Sequence, residues 1–298
     1  MAKSFNSVVS DFTTLSQDSS GTAVGKTLLN MGIKKILNAF DWSFNKDSKT
    51  IATGTATQYY DPPYNALKID YVRTAYGNLW NTPQEVKNSG DWRLLNATTV
   101  SSSIHTYWNI TNTPGKVGLF PIPIDSKGTV EIGFTKKYGT FGASDYSTGS
   151  INASANGTIF SGLNGASWGS AYIGKYLQVG GTNTPADGFW FEILNVTTTG
   201  SIYVKESIPN AISGGSYVIS ELMPLPDGFE TLPLNFALSI YYKMREITSL
   251  SQQYELLYRE DLETLKARDS RSTMGLITKQ EKPSQWNPNE NPWSLFIQ

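Results

Sequence analysis

Between residues 142 and 220 the chain turns abruptly to Gly, Ser, Thr and Asn with scattered aromatics, in short alternating runs that its flanks do not share. Runs at 149–153, 158–161, 175–179, 189–196, 201–206 and 216–220 each alternate apolar with polar residues, the period of a strand with one buried face. The segments on either side share another style, so the pattern predicts a small all-β, sandwich-like module over 143–222 inserted into a different core. A chain of 298 residues is long for one compact domain, which suits such a plan.

The surrounding core reads as α+β, a helical core with β-strands. In its N-terminal part, 1–142, Val24, Leu28, Leu29, Gly32, Ile33, Ile36, Leu37 and Phe40 recur at three- and four-residue spacing. That spacing predicts an amphipathic helix over 22–40 with Thr22 as its N-cap. Strand-like alternation follows at 50–57, 66–74, 106–110, 116–120 and 128–136. In the C-terminal part, 223–273, Leu234, Ala237, Leu238, Tyr241 and Met244 make one helical stripe, which Phe236 and Ile240 widen into a second apolar face. Ser249-Leu250-Ser251-Gln252 reads as a capping box opening another helix, with Leu250, Tyr254, Leu257, Tyr258, Leu262 and Leu265 along its buried side. Residues 274–298 lose periodicity and form an extended tail. Because Trp286, Trp293 and Phe296 are out of keeping with a solvated linker, the tail is expected to dock on a partner.

Composition removes several kinds of chemistry. Net charge is −1, so no global positive field draws nucleic acid or an anionic membrane. The absence of Cys excludes thiol catalysis and thiolate metal sites. The first residues carry no apolar run behind a basic start, and no stretch approaches the roughly 20 apolar residues of a spanning helix, so a protein kept in the cytoplasm is expected. Gly21-Thr22-Ala23-Val24-Gly25-Lys26-Thr27 imitates a P-loop but places three residues between its glycines instead of four, after a polar stretch instead of a buried strand, and reads as a helix start. His105, the only histidine, lies in an alternating run without a nucleophile elbow, which favours a structural or interface role. Asp145, Asp187 and Glu192 could serve a glycosidase only if two of them faced each other, and Asp in such loops more often satisfies turn amides. Trp168, Tyr172, Tyr176, Phe189 and Trp190 suit a β core, with Trp168 and Trp190 as the stacking groups of an alternative carbohydrate- or receptor-binding role. No catalytic residue, cofactor or metal is assigned, and the chain is not expected to be an enzyme.

A spaced series of segments resembles the head-to-tail adaptor family of tailed bacteriophages, in the style of tail tubular A and connector proteins. The series includes Ile36-Leu37-Asn38-Ala39-Phe40-Asp41-Trp42-Ser43-Phe44, Gln58-Tyr59-Tyr60-Asp61-Pro62-Pro63, Ile69-Asp70-Tyr71-Val72-Arg73 and Gly118-Leu119-Phe120-Pro121-Ile122-Pro123. It continues through the run 130–138, then 222–229, Leu232-Pro233 and the tyrosine-rich helix 237–242. The resemblance implies a virion structural protein at the neck. Its subunits, twelve in most such rings, would assemble in the host cytoplasm below the portal, extend the DNA conduit and join the tail or nozzle. It also implies that the tail, through Trp286, Trp293 and Phe296, grips the portal or a neighbouring subunit, and that genomic DNA passes through without specific binding. A near-neutral wall suits that passage, since strong positive charge would trap phosphates.

Overall fold

The computed structural model describes residues 3–18, 21–63, 65–97, 99–110, 115–181, 185–197 and 200–277. The chain divides into two compact units, Met1–Phe40 with Thr140–Gln298, and Asp41–Gly139. The first unit opens with helices α1 (Phe5–Ser16) and α2 (Thr22–Ala39). Ser4 caps α1 by accepting the Ser7 amide, and Phe5, Val8, Val9 and Phe12 form its buried stripe. Gly21, which has no side chain to offer, is the N-cap of α2, and Thr22 is its first residue. Gly25 lies under the Phe12 ring, where a Cβ would stand 2.5 Å from the nearest ring carbon, so glycine sets how closely the two helices pack.

The second unit contains, in order, β1 (Lys46–Ala52), β2 (Tyr59–Tyr60), β3 (Ala66–Tyr76), β4 (Leu79–Asn81), β5 (Gln84–Glu85), α3 (Ser89–Leu95), β6 (Ser101–Ser102), β7 (Tyr107–Ile110), β8 (Val117–Phe120), β9 (Ile122–Pro123) and β10 (Gly128–Lys136). One sheet runs β1-β10-β3-β4, antiparallel throughout. A second runs β2-β8-β7-β5, with a parallel final pair, and β6 pairs with β9 in a small parallel sheet of two strands. Val72, Val130 and Ile132 of the first sheet meet Tyr60, Trp108, Val117 and Leu119 of the second in one core. Full burial of each such aliphatic side chain stabilises by about 1.5–3 kcal/mol. His105 is buried here. Its Nδ1 donates to the Pro121 carbonyl at 2.7 Å, and burial holds its pKa below the usual imidazole value.

The first unit resumes with β11 (Ser150–Ala153), β12 (Ile159–Leu163), β13 (Tyr176–Gly180), β14 (Trp190–Val196), β15 (Ser201–Val204) and β16 (Ile212–Ser220). They close into a barrel in the order β11-β12-β15-β14-β13-β16, every neighbouring pair antiparallel. Closure leaves no unpaired edge, and Ile151, Phe160, Leu177, Phe191, Ile193, Ile202 and Ile219 fill the interior. The segments leading into and out of the barrel pair at Tyr146 and Ile219 and are clasped by the two N-terminal helices. Asn6 donates to Asp145 and to the Ala143 carbonyl, Lys26 to the Gly142 carbonyl, and Asn30 exchanges hydrogen bonds with the Phe141 backbone. Glu221 accepts the amides of Gly142 and Ala143 at 2.7 and 3.1 Å.

Helices α4 (Leu232–Met244) and α5 (Thr248–Ile277) complete the unit. Helix α4 is buried on several faces, and its apolar residues join those of α1 and α2 in one cluster. Phe236 and Pro233 press on Gly32 of α2. Phe236 also packs on Tyr258 of α5, with the Lys35 ammonium 4.8 Å from the Phe236 ring. The expected capping box does not form: α5 already starts at Thr248, which puts Ser249 inside its first turn, and the Ser251 hydroxyl crosses to the Ser239 carbonyl of α4.

The expected fold class is therefore corrected. A helical core carrying a small sandwich-like module is not what forms: the protein is mostly β, with sixteen strands and five α-helices among the described residues. Two physical reasons account for the difference. The strands of the second unit do not decorate helices but enclose a core of their own. Alternation along a strand reports one buried face and is silent on closure, which here depends on β11 meeting β16 about sixty residues later.

Candidate functional site

Among the described residues strand β5 is the last in its sheet, and no strand lies along its other side. The Gln84 and Val86 amides donate inward to Thr106 and Trp108 at 2.8 Å each, and the Asn109 side chain donates to the Val86 carbonyl. By strand alternation the N–H and C=O of Glu85, and the N–H of Lys87, face away from β7. Asn88 then accepts the Gly90 amide at 2.8 Å and starts α3, with Asp91 in the first turn where the helix dipole favours it. Trp92 anchors α3 on the sheet by covering Gly118, where a Cβ would stand 2.6 Å from the indole. Between α3 and the β5 edge lies a groove of about 710 Å³, floored by Tyr107 and flanked by Val86, Leu94 and Leu95. Leu94 is 75% exposed, an unusual position for a leucine beside an open strand.

A second constellation stands on one face of the other sheet. The Arg73 guanidinium lies 5.6 Å from the Tyr71 ring and 5.1 Å from the Trp80 ring. Both it and the Tyr71 hydroxyl donate to Glu131, each at 2.7 Å. Burial pushes the Glu131 carboxyl up, but the two donors outweigh it and leave the group below its usual range. Burial, then the bond to Glu131, raises the Tyr71 phenol, and the same carboxylate raises Arg73. Trp80 is 55% exposed, so the ladder offers a rigid aromatic surface of Tyr, Trp and Arg, the residue types that dominate interface energetics.

Trp168 is 8% exposed, inside the barrel cluster, with its indole N–H on the Tyr217 hydroxyl. Trp190 opens β14, half-buried, after the exposed Phe189. The expected glycan-stacking pair is thus split between a core position and a surface one. Trp286, Trp293 and Phe296 lie outside the described residues. Asp145 is held by Asn6 and Ser220, Glu192 pairs with Lys205, and Asp187 bridges to Val179. The imitation of a P-loop is a helix, with Gly25, Lys26 and Thr27 all inside α2. Among the described residues no cluster of three or more His, Asp or Glu could hold a metal ion, and no helix is long and apolar enough to cross a membrane.

Periodicity assigned no element between residues 75 and 102, where Trp80 and most of the groove lie. Signals were present there, a Gly77-Asn78 pair that turns β3 into β4 and an Asn cap ahead of Trp92 and Leu95 at helical spacing. No protein-family model matches the chain, and no curated protein matches it.

Proposed function

We propose that this chain is a non-enzymatic structural subunit that assembles into a ring, the head-to-tail adaptor of a tailed-phage virion. It would sit at the neck below the portal and join the conduit to the tail. The observation that carries the reading is the set of exposed apolar residues on the helices. The inner apolar residues of α1, α2 and α4 are already used within the chain. A second set nevertheless stands in solvent: Val24 and Met31 one heptad apart on α2, Met244 and Ile247 at the α4–α5 turn, and Leu256 and Leu257 on α5. A helical layer with its core filled and apolar side chains still in solvent is suited to burial against other subunits. The resemblance set out above supplies the kind of assembly. The glycan-binding alternative has no such support, since Trp168 is withdrawn into the barrel.

The test is native mass spectrometry of the full chain, alone and with portal rings. Rings alone or on portals are expected, and Met31→Glu with Leu256→Glu should reduce the assembled fraction at least tenfold with the helical circular dichroism retained. A monomer at every concentration that also ignores portal rings would sink the proposal.

A further inference from the structure

We infer that the open side of β5 and its groove form a strand-addition site, and that the occupant is residues 293–298 of a second copy of this chain. The inference rests on the ring-forming reading. Three observations meet in it. The edge presents the backbone of Glu85 and Lys87 outward, and among the described residues no strand lies beyond it. Strand addition takes its affinity from such main-chain groups and its specificity from alternate side chains. On one face of the sheet those alternate side chains would fall into the groove between β5 and α3, against Val86, Leu94, Leu95 and Tyr107. An added strand also explains why Leu94 stands exposed.

The choice of occupant comes from the chain itself. After Ile277 run 21 further residues (298 − 277), enough to reach about 70 Å when extended. Within them, Trp293-Ser294-Leu295-Phe296-Ile297-Gln298 is a run without charged side chains, with Trp293, Leu295 and Ile297 at alternate positions, the pattern of a strand with one face to bury. Charge is balanced at the receiving edge, where Lys87 lies 4.0 Å from Glu85, and so does not select against an uncharged strand.

The chain has no Cys, so an introduced pair reports without background. Full-length protein carrying Lys87→Cys with Leu295→Cys, treated with a short bis-maleimide, should give a ladder of covalent oligomers on denaturing gels. Asn152→Cys with Leu295→Cys, a barrel position paired with the same segment, is the control and should stay monomeric. Adding Glu85→Pro removes one outward donor at an edge that tolerates proline, and should cut crosslinking at least tenfold without changing the circular dichroism. Equal crosslinking in the control, a product confined within one chain, or crosslinking indifferent to Glu85→Pro would each overturn the inference. Native mass spectrometry of the same samples separates the two claims. Rings that form, alone or on added portal rings, without the Lys87–Leu295 crosslink overturn the strand addition alone, whereas monomers at every concentration that also ignore portal rings overturn the ring reading as well.

Discussion

Replacing Tyr217 with Phe removes one oxygen from the barrel interior and tests how its closure is held. That hydroxyl accepts the Trp168 indole N–H at 2.9 Å and donates to the Thr148 carbonyl at 2.6 Å. The two rings pack edge to face at 5.7 Å, with Trp168 8% and Tyr217 5% exposed. Burial also raises the Tyr217 phenol, so it stays protonated and keeps donating. Phenylalanine fills the same volume and preserves the ring contact, so the loss is almost wholly polar: the buried Trp168 indole N–H loses its acceptor, while the carbonyl of Thr148, an exposed residue, can turn to water. At about 1–3 kcal/mol for the one orphaned buried donor, the barrel should lose roughly 1–3 kcal/mol. Hydrogen exchange on β13 and β16 reads this as a fall in protection of about 5- to 150-fold, at 1.4 kcal/mol per factor of ten. Trp168→Phe in the Tyr217→Phe background should then cost less than it does alone, because the donor it removes is already unpaired. Protection that falls less than about threefold, or costs that simply add, would refute the account of the barrel as pinned by this chain of two hydrogen bonds.

Three further outcomes follow from the geometry. A side chain at Gly133 would run into the Tyr71 ring, so Gly133→Val should force that ring off Glu131 and destabilise the second unit by about 2–4 kcal/mol in urea, while an unchanged midpoint would show the ladder to be slack. Burial makes folded His105 harder to protonate than in the unfolded chain, which takes up its proton as pH falls through about 6.5; stability should drop from there downward, and His105→Asn should flatten the urea midpoint between pH 7 and 5.5. Glu131, held below its usual range, contributes stability that is present above the unfolded value near 4.5 and lost as pH falls through the folded one; Glu131→Gln should abolish that acid limb, and an identical limb in the variant would assign it elsewhere.

Much of the strand layout was legible in the sequence, because alternation is a local signal and 128–136 coincides with β10. Helix α1 was missed although Phe5, Val8, Val9 and Phe12 hold helical spacing, since Ser and Thr at neighbouring positions dilute the stripe. The groove was not legible for a different reason. It is made by Gln84 meeting Tyr107 and by Trp92 meeting Gly118, contacts of more than twenty residues' separation that no window of the chain contains. Chemistry that depends on residue type alone was easier to read: the P-loop imitation lies within α2 as its spacing indicated, whereas His105, expected inside an alternating run, stands two residues ahead of β7.

The pairing of Tyr146 with Ile219 at the foot of the barrel matters beyond its two hydrogen bonds. Paired residues on antiparallel strands lie about 5 Å apart, so the polypeptide departs and returns at practically one point. From the standpoint of the helices that clasp it, everything between those residues is a detour of zero net displacement. A tight turn, or a foreign domain whose own termini are adjacent, could bridge the same gap without moving α1 or α2, which makes this position a natural splice point for displaying cargo on whatever this subunit builds.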